Sequence, residues 1–279
     1  WGDALSGKHS PAPKGAMCSW ADITNVFYGA FMQRGEEGFD KYRVQSLFVG
    51  SGKLTQSKTI KVGTHYRVYA PVWTKNHGNR VLYTDDFGQT WHALGGKTAL
   101  PCPRGDEPKC EELPDGSVVL SSRKGAGRFF NIYKYSDDPK KVDGAWGDVV
   151  ASDQQRGGIK VGRNSTNGEI LILQARRKAD GAQRTLALQS LPTGDGRSDV
   201  KIYWKDITEA ASYASPKAFA EDWNQQPYHV SHTGSAYSTM TLQKDGRIGF
   251  FYEEEPGWYS MVYVPISLEA ITCGLYSVK

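Results

Sequence analysis

Apolar and polar residues alternate in short runs along most of the chain, and no long stretch keeps the 3.6-residue period of an amphipathic helix. The runs Tyr66–Trp73, Arg80–Thr84, Ser117–Ser121, Phe129–Tyr135, Glu169–Gln174, Thr185–Gln189, Lys201–Trp204 and Arg247–Tyr252 carry the β-branched and aromatic residues of strands. The one helix candidate is Ser215–Trp223, with a Ser start and an Ala-rich, acidic body. Asp115-Gly116, Asn167-Gly168 and Asp245-Gly246 each directly precede a strand run, as hairpin turns do. From Gly116 to Gly168 is 52 residues, and from Gly168 to Gly246 is 78. The first interval fits one propeller blade of ~40–50 residues; the second needs a blade with an insertion, or two compact blades. The pattern predicts an all-β chain, and the turn spacing favours a β-propeller over a sandwich or barrel.

Composition agrees and excludes some classes. The 279 residues include 31 Gly and are 12% aromatic, which suits β structure. The net charge is +4 with signs mixed, and basic residues cluster only in doublets such as Arg176-Arg177 and Lys140-Lys141, so no nucleic-acid stripe is present. No apolar run approaches the ~20 residues of a membrane span. The chain opens on Trp1 without an initiator Met or signal-peptide pattern, as a processed chain or a piece of a longer one does. Cys18, Cys102, Cys110 and Cys273 have no C-x-x-C spacing and no nearby His, which argues against zinc on the thiols. Cys102 and Cys110 would close a short loop in an exported protein; four buried free thiols are at least an equal reading. The histidines His9, His65, His77, His92, His229 and His232 show no metal-ligand spacing, and His65 and His92 are expected at solvent or turns. Trp204, Trp223 and Trp258 are expected to pack in the core rather than stack on a sugar.

The sharpest local motif is Thr84-Asp85-Asp86-Phe87-Gly88-Gln89-Thr90-Trp91, which fits the Asp-box pattern Ser/Thr-x-Asp-x-Gly-x-Thr-Trp. Asp86 would cap the turn amides, Gly88 supply the left-handed residue and Trp91 pack beneath the blade, so the motif is structural. A looser copy, Ser136-Asp137-Asp138 to Gly144-Ala145-Trp146, is no more than chance by itself. Two further segments carry chemistry. Glu107 precedes Leu113-Pro-Asp-Gly and a strand run that closes on Arg123; Tyr237-Ser precedes Asp245-Gly246, Ile248-Gly249 and a closing Tyr252-Glu253. In these segments, and in the order Asp box, Glu, Arg, Arg, Tyr, the chain resembles the bacterial exo-α-sialidases (neuraminidases).

The resemblance implies a six-bladed β-propeller of sialidase type, retaining cleavage of terminal sialic acid from glycoconjugates, and no metal or cofactor. Position by position it makes Tyr237 the nucleophile and Glu107 the carboxylate that takes its proton. Arg123 matches the second of three arginines that bind the substrate carboxylate. Arg184 best matches the third, with Arg176 or Arg177 as alternatives, and Glu253 the carboxylate that orients the first. The residue types suit the substrate: a planar guanidinium grips a carboxylate, and a neutral phenol approaches a negatively charged sugar where a carboxylate nucleophile would be repelled. An ordinary phenol, with a pKa of about 10, needs a base beside it.

Family members also carry an early Arg-Ile-Pro motif and an Asp acid. Tyr66-Arg67-Val68 continues Tyr-Ala-Pro and Tyr42-Arg43-Val44 continues Gln, so neither matches; Trp20-Ala-Asp-Ile-Thr24 is similar to a segment that follows an Asp box, yet no box precedes it. The resemblance runs from about Trp20 to the C-terminus, with an insertion between Gly194 and Tyr228. It implies that residues 1–279 are one catalytic domain holding four or five blades, with the first blade, its Arg and its acid on a further segment of the parent protein. Expected partners are sialylated glycoproteins, glycolipids or oligosaccharides, met by a secreted, periplasmic or cell-surface protein. The alternatives are a trans-sialidase and a non-catalytic propeller that binds sialylated glycans; the retained Glu107–Tyr237 pair speaks against the latter.

Overall fold

The computed structural model describes residues 24–163, 167–255 and 260–278. Of the residues singled out above, His9, Cys18, Trp20 and Trp258 lie outside them. Every strand run read from the sequence is a strand, and the strands form antiparallel sheets that follow one another along the chain. The first sheet holds β1 (Leu47–Val49), β2 (Thr55–Val62), β3 (His65–Thr74), β4 (Gly78–Thr84) and β5 (His92–Ala93). Here β1 and β2 pair with successive parts of β3, so together they make one interrupted inner strand. The second sheet holds β6 (Asp106–Glu112), β7 (Val118–Lys124), β8 (Gly127–Tyr135), β9 (Gly144–Trp146) and β10 (Val150–Ala151).

The third and fourth sheets share a strand. β11 (Ile170–Arg177), β12 (Gln183–Gly194) and β13 (Ser198–Asp206) pair in sequence. β14 (Tyr228–Leu242) then pairs with β13 through its first half and with β15 (Ile248–Glu254) through its second. β16 (Ser260–Ile266) closes the fourth sheet, and β17 (Tyr276–Val278) returns to the edge of β11. This is the blade succession of a propeller. Apolar clusters fill the spaces between neighbouring sheets, with Val81, Cys110 and Leu120 in one, Phe130, Ile170 and Trp223 in the next, and Leu188, Met240 and Phe250 in a third.

Local chemistry explains the joints. In the Thr84–Trp91 turn, Asp86 accepts from the Thr90 amide at 2.9 Å and the Thr90 hydroxyl at 2.7 Å, and Thr84 Oγ1 accepts from the Gly88 amide at 2.9 Å. Gly88 takes a φ of 91°, and Trp91 is buried and stacks on Phe27 at 4.9 Å. The looser copy ending at Trp146 stands at the same place in the second sheet, between β8 and β9, and the Trp146 indole donates to the Leu94 carbonyl at 2.8 Å across the sheets. The expected helix forms as Pro216–Ala220, with the Ser215 hydroxyl accepting from the Ala218 amide. It lies in the insertion after β13, which packs Phe219 and Trp223 on Phe130.

Two expectations are corrected. Asp115-Gly116 and Asp245-Gly246 do close hairpins, but Asn167-Gly168 does not, because β11 pairs only with the later strands β12 and β17. Gly168 is there for close approach instead: a Cβ on it would lie 1.7 Å from the Ser190 carbonyl oxygen. Cys273, expected buried, is exposed, whereas Cys102 and Cys110 are free and buried, the second of the two readings of that pair.

Candidate active site

The site forms where β6 begins, β7 ends and the second half of β14 begins. Tyr237 and Glu107 are distant in sequence, yet the Tyr237 hydroxyl donates to Glu107 Oε1 at 2.5 Å. Both residues stand on β-bulges. Between Ser235 and Ser238, β14 advances three residues while β15 advances two, and β6 does the same against β7 between Asp106 and Lys109. A bulge adds one residue to the ladder and re-aims the side chain it carries. Glu107 also holds a left-handed φ of 40°, a conformation that a non-Gly residue keeps only where its surroundings impose it.

The surroundings favour a neutral phenol. Burial raises the Tyr237 hydroxyl, the Glu107 carboxylate raises it further, and Arg123 and Arg197 oppose them; the net pKa is about 12. Arg123 Nη1 donates to the same Glu107 Oε1 at 2.9 Å and lies 3.9 Å from Asp106 Oδ2. Glu107 Oε2 is sealed from solvent and makes no hydrogen bond among the described residues. On the other side of Tyr237, Glu253 Oε2 accepts from the Tyr237 amide at 3.1 Å, fixing the backbone of the bulge.

Glu107, Tyr237, Arg123 and Glu253 are therefore brought together. Arg184 is not. It sits near the start of β12, where its Nε is 4.0 Å from Asp206 Oδ2, while the site lies near the far end of that strand. At 3.3–3.4 Å per residue, the ten steps from Arg184 to Gly194 span about 33 Å. Arg176 and Arg177 lie at Arg184's end, away from the site, with Arg177 paired to Asp180. The arginine that sequence reasoning missed is Arg197, at the tip of the β12–β13 hairpin. Its carbonyl accepts from the Ser235 amide at 2.7 Å, two residues from Tyr237, and its charge acts on the phenol. The available signal was the run Arg197-Ser-Asp-Val-Lys-Ile-Tyr-Trp204, an Arg opening a strand directly before the insertion.

Arg67, in the first segment set aside as a mismatch, is wholly buried and binds Asp85 through two hydrogen bonds of 2.7 Å. It serves the fold. Trp204 and Trp223 are buried, and His65 and His92 are exposed, as expected. His229 and His232 converge on Asp199, a grouping their sequence spacing did not show, with Asp199 Oδ1 3.2 Å from His229 Nε2 and 3.4 Å from His232 Nδ1.

No family profile matches the chain. A sialidase of Micromonospora viridifaciens is 26% identical over 179 residues, which are 63% of this chain and 24% of that protein. Among solved structures, the intramolecular trans-sialidase of Ruminococcus gnavus superposes with a TM-score of 0.58 at 20% identity, over 82% of this chain and 45% of that one. The NanB sialidase of Streptococcus pneumoniae gives a TM-score of 0.54 at 16% identity, over 81% and 32%. The chain thus spans about a quarter of the curated relative and less than half of these solved chains. In sequence it resembles the sialidases, and its fold is the sialidase β-propeller.

Proposed function

We propose that this chain carries the nucleophile, base and carboxylate-binding arginines of a retaining exo-α-sialidase. The observation that carries the reading is the Tyr237–Glu107 hydrogen bond, with Arg123 on the same carboxylate oxygen. A phenol with a pKa of about 12 is almost wholly protonated at neutral pH, so it acts only if its proton leaves as it attacks. Glu107 Oε1 is already on that proton. The Tyr237 oxygen bonds to the anomeric carbon, the bond from that carbon to the glycan oxygen breaks, the phenol proton passes to Glu107, and the leaving oxygen departs as an aryloxide or takes a proton from solvent. Water then attacks the anomeric carbon from the face the glycan left and gives its proton to solvent, while the bond to the Tyr237 oxygen breaks and the phenol recovers its proton from Glu107, so two inversions retain the configuration overall. Arg123 and Arg197 flank the phenol and hold the sugar carboxylate, and Glu253 steadies the bulge.

Aryl leaving groups ask least of a general acid, so a fluorogenic aryl α-sialoside is the substrate for the test. Wild-type chain is expected to release sialic acid, Tyr237→Phe to lose turnover, and Glu107→Gln to lower kcat by about 10²–10⁴-fold. Undiminished turnover in Tyr237→Phe overturns the reading. No turnover in the wild type, with binding of sialyllactose retained, makes the chain a sialoglycan-binding propeller instead.

A further inference from the structure

We propose that Asp199, His229 and His232 form a binding site for a borderline divalent metal ion, Zn²⁺ first. Two residues of one strand three positions apart ordinarily point to opposite faces. Here the β13–β14 ladder shifts register, Lys201 facing His229 and Val200 facing Ser231, so β14 gains a residue and the two imidazoles come to one side. Their ring centroids are 3.5 Å apart, and Asp199, with a left-handed φ of 57°, turns its carboxylate towards both.

The spacing fits a coordination polyhedron. A tetrahedral ion with N and O ligands at about 2.0–2.1 Å sets neighbouring donors roughly 3.3–3.4 Å apart. The two Asp199–imidazole separations are 3.2 and 3.4 Å, and all three donors lie within 4.8 Å of one another. His229 Nε2 is sealed from solvent and makes no hydrogen bond, although Asp199 Oδ1 is 3.2 Å away. Its alignment is not that of an N–H donor to Asp199. Two imidazoles and one carboxylate select Zn²⁺ and its neighbours over Ca²⁺ or Mg²⁺, which take oxygen ligands. His232 is 82% exposed and forms the rim by which an ion enters and water completes the coordination. Glu254, accepting from Ser231 between the two histidines and from Thr233 at 3.0 Å, adds negative charge nearby. The site ties β13 to β14 beside the hairpin that carries Arg197, and so braces that hairpin against the strand of Tyr237.

The test is titration of the purified, chelator-stripped chain with ZnCl₂, read by calorimetry and by competition with a chromogenic chelator. One Zn²⁺ per chain is expected, with a rise in melting temperature and no comparable response to CaCl₂. His232→Ala and Asp199→Asn are expected to weaken the site by about 100-fold or more and to abolish the thermal shift, since each removes one of three ligands. His232→Ala leaves the core untouched and so tests the site without testing folding. Absence of stoichiometric binding in the wild type, or an unchanged affinity in His232→Ala, overturns the proposal. These readouts need no sialoside, so they stand or fall apart from the enzymatic reading.

Discussion

Glu107 has two oxygens in different states. Oε1 takes the Tyr237 proton donor and an Arg123 N–H together, while Oε2 is sealed without a hydrogen bond among the described residues. That asymmetry directs the base at the phenol. Glu107, Tyr237 and Arg123 were legible because each stands in a motif whose turn and strand fix its place. The arginine beside the phenol was not. Alternation along β12 tells which face a side chain takes, but not which end of the strand faces the site, and that difference separates Arg184 from Arg197. The two make opposite predictions. Arg197→Ala is expected to raise KM for an aryl α-sialoside by about 10–100-fold, the worth of a charged hydrogen bond, whereas Arg184→Ala leaves KM within twofold. Steady-state kinetics of both variants decide it, and a KM effect confined to Arg184→Ala would restore the assignment made from sequence.

At the scale of elements, strands and hairpins read well because β-branched runs and Asp-Gly turns are local signals. The bulges at Glu107, Tyr237 and His229 did not read, since one added residue leaves no mark in composition and reverses which face follows. Asn167-Gly168 misled for a related reason: the dipeptide that makes a tight turn also permits a close backbone approach. The Thr84–Trp91 turn gives a measurable consequence. Burial pushes the Asp86 carboxyl up, but the hydrogen bonds from Thr90, Thr84 and the Gln89 amide outweigh it and hold the pKa at about 2, below the ordinary 3.8. A carboxylate whose pKa is lowered on folding stabilises the fold above its unfolded pKa and loses that contribution as pH falls through the folded one. Asp86→Asn is therefore expected to melt several degrees below wild type at pH 6, with the gap shrinking as pH is lowered from about 4 to 2. Melting curves at pH 6, 4, 3 and 2 test it; a gap independent of pH shows that the charge of Asp86 does not stabilise the turn.

Across the whole molecule, the inner strands are joined near the axis by polar side chains rather than by apolar packing alone. Ser57 donates to Glu112 at 2.6 Å between the first and second sheets, Ser121 to Gln189 at 2.7 Å between the second and third, and Ser190 meets Ser238 at 2.9 Å between the third and fourth. Glu169 gathers these joints. Its Oε2 lies 3.4 Å from Lys109 Nζ on β6 and accepts from Thr239 Oγ1 on β14 at 2.8 Å. The loop between β1 and β2 rests on the pair so closely that a Cβ on Gly52 would lie 2.3 Å from Lys109 Nζ. Lys109 and Glu169 are both almost wholly buried, and burial lowers the Lys109 pKa despite its partner. Removing one member of such a pair strands the other charge, at about 3–5 kcal/mol, whereas removing both relieves most of that. Lys109→Met is accordingly expected to lower the urea midpoint sharply, and Lys109→Met with Glu169→Gln to recover most of the loss. The shape of the transition carries the larger point. Because all four sheets meet at this pair, the single variant should unfold in one cooperative step with an unchanged slope; an early partial transition would mean that the sheets unfold separately and that Glu169 does not couple them.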